Sequence, residues 1–208
     1  MLNVGLTGGI ACGKSTVARM LMEKGAFLID ADALAHAVEA PDKPAWHEIV
    51  RHFGRGILRA DRTINRRKLG AIVFANPAEL EVLNRIVHPA VQQERLARIA
   101  AIRAEHPEAI ILSDVPLLIE TGMTDQFDLI LLVYLPREGQ IARLMARNGF
   151  SREEAEKRLA SQMPIDAKLP YADIVVNNEG TPEETQRRVE AVWEELEEKE
   201  QSSPHLFS

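Results

Sequence analysis

The chain has 208 residues, 46% apolar and 27% charged, with a net charge of −6 and only 5% aromatics. That length supports one sizeable domain with room for a smaller inserted lobe, and the acidic balance and sparse aromatics exclude a general nucleic-acid binder. The single cysteine, Cys12, excludes an internal disulfide. Met1-Leu2-Asn3-Val4 lacks the basic start of a secretory signal, and no run reaches the ~20 apolar residues of a membrane helix. A cytoplasmic protein in a reducing compartment, with no membrane partner, is expected.

In chain order, residues 4–7, 26–30, 109–114, 129–135 and 173–177 are short runs rich in Ile, Leu and Val. They do not alternate with polar residues, as suits strands covered on both faces of a parallel sheet. Most are followed by helical patterns, which points to an α/β layer fold.

Helix ends are marked along the way. Val17, Met20, Leu21 and Lys24 fall at helical spacing, and Gly25 ends that pattern. Asn76-Pro77-Ala78-Glu79, Ser151-Arg152-Glu153-Glu154 and Thr181-Pro182-Glu183-Glu184 each read as a helix start with an acid at the third position. Pro89 is expected to break or kink the helical stretch after His88.

Two segments are too long for simple crossovers. Residues 42–103, mostly helical, read as an insert between the second and third strands, and 148–170 read as a charged helical insert between the fourth and fifth. Residues 194–208 read as an acidic helix end followed by a polar, frayed tail. The chain is thus expected to be one domain, 1–208, carrying both inserts.

The densest signal lies at the first strand. Gly8-Gly9-Ile10-Ala11-Cys12-Gly13-Lys14-Ser15 fits G-x-x-x-x-G-K-[ST], with a strand before it and a helix after it. The glycines let several backbone N–H groups turn towards one anion, and the helix N-terminus adds its positive end. Lys14 is placed for the β- and γ-phosphates and the Ser15 hydroxyl for Mg²⁺. Cys12, inside the loop, is either a redox switch or simply a small residue that fits the slot.

A phosphate loop alone fits a kinase, a GTPase or a motor ATPase. The guanine-reading Asn-Lys-x-Asp and the Asp-x-x-Gly switch are missing, and the third strand ends Ser113-Asp114 without an adjacent Glu. A small-molecule kinase needs an acceptor site, a cationic clamp and a lid, for which the two inserts are candidates. At the end of the second strand stand Asp30 and Asp32. One of them suits a helix cap, and the other a base that takes the proton from an acceptor hydroxyl. Gln140, Arg143 and Arg147 share one helical face after the fourth strand, where Arg forks suit the oxygens of a transferring phosphoryl. The plainer reading of that face is solvated basic surface.

These residues resemble one family, dephospho-CoA kinase. The resemblance covers most of the chain. It rests on Leu6-Thr7-Gly8-Gly9-Ile10 with the phosphate loop, Ile29-Asp30-Ala31-Asp32, Arg66-x-x-Leu69, Val73-Phe74 and His88-Pro89. It continues through Asp114-Val115-Pro116-Leu117-Leu118-x-Glu120, Gln140-x-x-Arg143-x-x-x-Arg147 and Ala172-Asp173-Ile174-Val175-Val176-Asn177-Asn178-x-Gly180. It implies a P-loop nucleotide-kinase fold, with a five-stranded parallel sheet, helices on both faces, an acceptor-binding insert and a lid. It implies transfer of the γ-phosphoryl of ATP, with Mg²⁺, to the ribose 3′-hydroxyl of dephospho-CoA.

In that resemblance Asp32 matches the general base, Thr7 a residue at the reacting phosphates, and Arg143 the clamp. Ala11, Cys12, Gly13, Lys14, Ser15 and Thr16 match the phosphate grip, and Asn177 to Gly180 would sit against adenine. A monomer or weak homo-oligomer is expected. The chain departs from the pattern at Cys12, where Gly or Ser is commoner, and at Asn177, where Asp is frequent. The rival expectations are a related kinase acting on another acceptor, such as a nucleoside monophosphate, and a nucleotide-gated switch protein.

Overall fold

The computed structural model describes residues 1–202. Strand β1 (Leu2–Gly8) leads through the glycine-rich loop into α1 (Lys14–Glu23), and β2 (Phe27–Asp30) follows. Then come α2 (Ala31–Val38), α3 (Pro44–Phe53), α4 (Arg66–Ala75) and the long α5 (Pro77–Glu105). The chain returns through β3 (Ile110–Asp114) and β4 (Leu129–Tyr134) to α6 (Arg137–Asn148), α7 (Arg152–Leu159) and α8 (Ile165–Lys168). Strand β5 (Ile174–Asn177) and α9 (Pro182–Ser202) close the described chain. The expected helix end at 194 onward is therefore part of α9, and the expected tail beyond residue 202 lies outside the described residues.

The five strands form one parallel sheet in the order β2-β3-β1-β4-β5, with helices around it. Strand β1 is central, in register with β3 (Leu6 opposite Asp114) and with β4 (Leu6 opposite Leu131). The connection from β1 leads to β2 at one edge and the connection from the adjacent β3 leads to β4 on the other side of β1, so a crevice opens at the carboxyl ends of these central strands. The phosphate loop occupies that end of β1.

The apolar runs form these strands because both faces are covered. Leu6, Leu112, Leu131, Leu132 and Val133 are fully buried, and they pack with Val17 and Leu21 of α1 and Val189 and Leu196 of α9. Each buried side chain of this size stabilises the fold by about 1.5–3 kcal/mol. Helix α1 stops where the glycine signal places its end. The Ala26 N–H bonds to the Leu21 carbonyl and the Gly25 N–H to the Met22 carbonyl, the paired bonds of a Schellman motif.

The chain divides into two compact units: residues Asp30–Ala101, and the remainder. The smaller unit begins ahead of the insert start expected at 42, because α2 joins its core. Ala35 and Val38 pack with Trp46, Ile49, Ile57, Leu69 and Val73. A break at Pro89 does not occur in this unit. Helix α5 runs unbroken from Pro77 to Glu105 with Pro89 inside it. Proline removes one helix bond, but Leu83, Ile86 and Val87 before it and Ala90 and Val91 after it all join the same apolar cluster. Burial on both sides offsets the roughly 3 kcal/mol that proline costs inside a helix.

Candidate active site

The loop between β1 and α1 is shaped by left-handed backbone at two positions. Gly13, the residue before α1, has φ +85°, and Ala11 has φ +61°. Alternating backbone hand turns consecutive N–H groups to one side, which makes an anion-binding concavity. The Gly13 carbonyl accepts from the Thr16 N–H at 3.0 Å and the Val17 N–H at 3.2 Å, opening the helix whose N-terminal end faces the same space.

Neighbours press on the outside of this loop. A Cβ on Gly9 would lie 2.4 Å from the Gln140 side-chain nitrogen, and one on Gly13 would lie 2.1 Å from Asn178 Nδ2. Glycine is required at both positions because polar side chains hold the loop from behind. Gln140 Nε2 donates to the Ile10 carbonyl at 2.8 Å, and Asn178 Nδ2 donates to the Cys12 carbonyl at 2.7 Å. Asn178 Oδ1 accepts in turn from the Thr185 hydroxyl of α9 at 2.7 Å. Arg143 donates to the Asn178 carbonyl at 2.6 Å and to the Cys12 carbonyl at 3.4 Å. The Arg143–Gln140 face of α6 is therefore turned to the loop and is not merely solvated surface.

In front of the loop lies a cleft of about 790 Å³. Gly8, Gly9, Ile10, Ala11, Gly13, Lys14, Ser15 and Thr16 line one side, and Pro116, Arg143, Ala146, Arg147 and Gln162 contribute the rest. Lys14 and Arg143 make it cationic. Lys14 Nζ is ion-paired with the carboxylate of Asp114 at the end of the neighbouring β3. Ser15 is exposed at the first turn of α1, and its hydroxyl has no partner among the described residues.

Several residues expected at the site stand outside this cleft. Thr7 is fully buried, and its hydroxyl donates to the Pro116 carbonyl at 3.2 Å, tying β1 to the segment after β3. Asn177 Oδ1 accepts from the Glu179 N–H at 2.9 Å, shaping the turn before α9. A Cβ on Gly180 would strike Glu184 Oε2 at 2.0 Å, the acid that also accepts from the Thr181 N–H in the cap of α9. The cap sequence places this turn, and it is the neighbouring Asn178 that touches the loop. The only sequence signal for Asn178 was its place in the Asn-Asn pair. Replacing it with Ala removes the shorter bond at both groups, leaving the Cys12 carbonyl with Arg143 at 3.4 Å and the Thr185 hydroxyl with the Thr181 carbonyl at 3.2 Å, at about 0.5–1.5 kcal/mol per lost bond. Thermal denaturation and nucleotide titration of Asn178→Ala should both show the loss.

Cys12 is fully buried, with Sγ 3.3 Å from Gln140 Nε2. Burial pushes its thiol above the ordinary range, outweighing the opposing hydrogen bonds and nearby cations. The small-residue reading fits this environment, since the thiolate is the reactive form. Native protein at pH 8 should alkylate at Cys12 far more slowly than denatured protein, followed by mass spectrometry. Comparable rates would show a reactive thiol.

In the Asp30–Ala101 unit, Asp30 is the cap of α2, its Oδ1 accepting from the Ala33 N–H at 2.9 Å. Asp32 sits in the first turn, exposed, with no partner among the described residues. The choice left open between the two carboxylates is thus narrowed: one is engaged by the backbone and the other is free. His88 and Pro89 are exposed on α5.

A strand–loop–helix phosphate grip at the centre of a parallel sheet, with Lys and Arg converging on a cleft in front of it, defines a P-loop kinase. Comparison with known proteins narrows the class. A family model for dephospho-CoA kinase matches residues 2–184. A dephospho-CoA kinase of Syntrophus aciditrophicus is 57% identical over 200 residues, covering 96% of this chain and 85% of the relative. A solved structure from Thermus thermophilus superposes with a TM-score of 0.78 at 35% identity, covering 93% of this chain and 96% of the other. The structure of the dephospho-CoA kinase from Campylobacter jejuni gives 0.73 at 28% identity, covering 94% and 97%. The chain belongs to the dephospho-CoA kinase family and is an ATP-dependent kinase. No helix among the described residues is long and apolar enough to cross a membrane.

Proposed function

We propose that this chain transfers the γ-phosphoryl group of ATP to the 3′-hydroxyl of the ribose of dephospho-CoA, giving CoA and ADP. The observation that carries the reading is the cationic cleft formed on the phosphate loop by Lys14 and Arg143, in a chain of this family.

The loop N–H groups from Ala11 to Thr16 hold the phosphates of ATP. Lys14 lies against the transferring group. Two donors of Arg143 are engaged by carbonyls, and the rest of its fork meets the phosphoryl oxygens. Charge spread over those oxygens is stabilised by donors fixed in advance, which is the main work of a phosphoryl-transfer site. Asp32 accepts the proton of the attacking hydroxyl. Its exposed, unpartnered carboxylate suits that role, whereas Asp30 is committed to its helix. Thr7, through Pro116, keeps the floor of the cleft in place. The turn from Asn177 to Gly180 flanks the adenine. Residues 42–103 supply acceptor binding, and 148–170 form the lid that excludes water.

The residues at the cleft fit Mg²⁺. The free Ser15 hydroxyl is a hard oxygen donor, and this ion is usually held by one or two protein oxygens plus phosphates and water. Bound Mg²⁺ neutralises phosphate charge. The reaction proceeds on a monomer or weak homo-oligomer in the cytoplasm.

ADP release with dephospho-CoA, with AMP or CMP, and with no acceptor tests this reading. Turnover confined to dephospho-CoA, with CoA identified by mass, is the expected result. Turnover on a nucleoside monophosphate would reassign the acceptor, and hydrolysis indifferent to any acceptor would indicate a nucleotide switch.

A further inference from the structure

The connection after α7 carries a side chain that the transfer chemistry above does not use. Gln162 lines the phosphate cleft with Lys14 and Arg143, and its Oε1 accepts from the Ile10 N–H of the phosphate loop at 3.2 Å. Ile10 offers a donor, so the amide oxygen must face the loop. The Nε2 group, with two N–H donors, has no partner among the described residues.

The position is firmly built. Glu120, after β3, accepts at Oε1 from the N–H of Met163, the residue following Gln162, at 3.4 Å. The same oxygen lies 2.7 Å from Lys168 Nζ, on a lysine side chain with 0% exposure. Asp166 accepts from the Tyr134 hydroxyl at 2.8 Å. On the near side, Ile10 and Ala11 pack with Phe150 and Leu159 against Ile141, Leu144 and Ala155, which joins α6, α7 and the loop.

A largely buried ammonium–carboxylate pair, here a fully buried lysine against a half-buried glutamate, adds little net stability, because desolvation offsets the attraction, and its best-attested use is to select one arrangement. What this pair selects is the path of the segment that begins with Gln162. The Glu120–Lys168 pair therefore fixes a free amide donor at the edge of an anion site.

We infer that Gln162 recognises the γ-phosphate. With the loop empty, its oxygen satisfies the Ile10 N–H. With ATP bound, a γ-phosphate oxygen takes that N–H, and Gln162 Nε2 donates to the phosphoryl oxygens. Glu120 and Lys168 are the positioning residues that hold it there. The inference rests on ATP being the donor at this cleft. Since the contact is with the γ-phosphate alone, it separates ATP from ADP and ties closure of the lid segment to the triphosphate.

Calorimetric titration of the full chain with ADP and with a non-hydrolysable ATP analogue tests it. Gln162→Ala should weaken analogue binding about tenfold, the size of one hydrogen bond to a charged group, while ADP binding changes less than about twofold. Gln162→Glu should weaken the analogue further, because a carboxylate repels the phosphate. The double variant Glu120→Gln/Lys168→Met, which removes both charges of the pair together, should lower the same analogue-to-ADP ratio. Equal weakening of both nucleotides by Gln162→Ala would make Gln162 only a brace of the loop and overturn the inference, as would an unchanged ratio. Failure of the wild-type chain to bind the analogue would overturn the ATP-donor reading instead.

Discussion

Asp32→Asn is expected to lower kcat by roughly 10²–10⁴-fold, the range for loss of a general base, and to leave ATP-analogue affinity within about twofold. The asymmetry follows from its setting. Asp32 lies exposed in the first turn of α2, where neither the helix cap nor an ion pair depends on it. The amide is nearly isosteric, so folding is retained, but it does not accept the proton. Asp30→Asn is the control. Asn also caps helices well, so turnover should stay close to wild type. If Asp30→Asn proves the more damaging change in steady-state kinetics, the base has been assigned to the wrong carboxylate.

Lys14→Met is expected to lower turnover by about 10²–10³-fold, the usual consequence of losing one donor aimed at developing charge. It should also destabilise the fold, because the Asp114 carboxylate loses its lysine counter-ion in a site where both side chains are largely buried. The two effects separate in the double variant Lys14→Met/Asp114→Asn. Its melting temperature should return towards wild type, since no carboxylate is left without its lysine, while turnover stays low. Recovery of turnover together with stability would make Lys14 a structural lysine.

Much of the scaffold was legible because it depends on local physics. Continuous Ile, Leu and Val runs read as doubly covered strands, and all five appear within a residue or two of the expected bounds. The Ser151 and Thr181 caps close as read, with reciprocal bonds to Glu154 and Glu184. Pro89 went the other way. Its local preference to interrupt α5 lost to apolar contacts on both sides of it, and those are tertiary.

The candidate site divides along the same line. The phosphate loop is legible because glycine, lysine and serine at fixed spacing express backbone geometry. The bracing contacts behind it were not, although Gln140 stood out as part of the α6 face. Gln140 and Asn178 are remote in sequence, and they matter only because the start of α6 and the turn before α9 converge on the Ile10 and Cys12 carbonyls. Lys168 looks like any charged residue of a polar segment until burial and Glu120 set it apart. Asp30 and Asp32 were equivalent in composition, and one 2.9 Å bond to the Ala33 N–H distinguishes them.

By itself, then, the order of residues determined the α/β sheet, the helix ends, the phosphate grip and the family, because periodicity, capping and loop geometry act over a few residues. Tertiary structure alone decided which polar side chains hold that grip, which carboxylate is free, and why Cys12 is a buried small residue. Those outcomes depend on which distant groups share one desolvated space, and there an unpartnered polar atom is costly enough to select its neighbour.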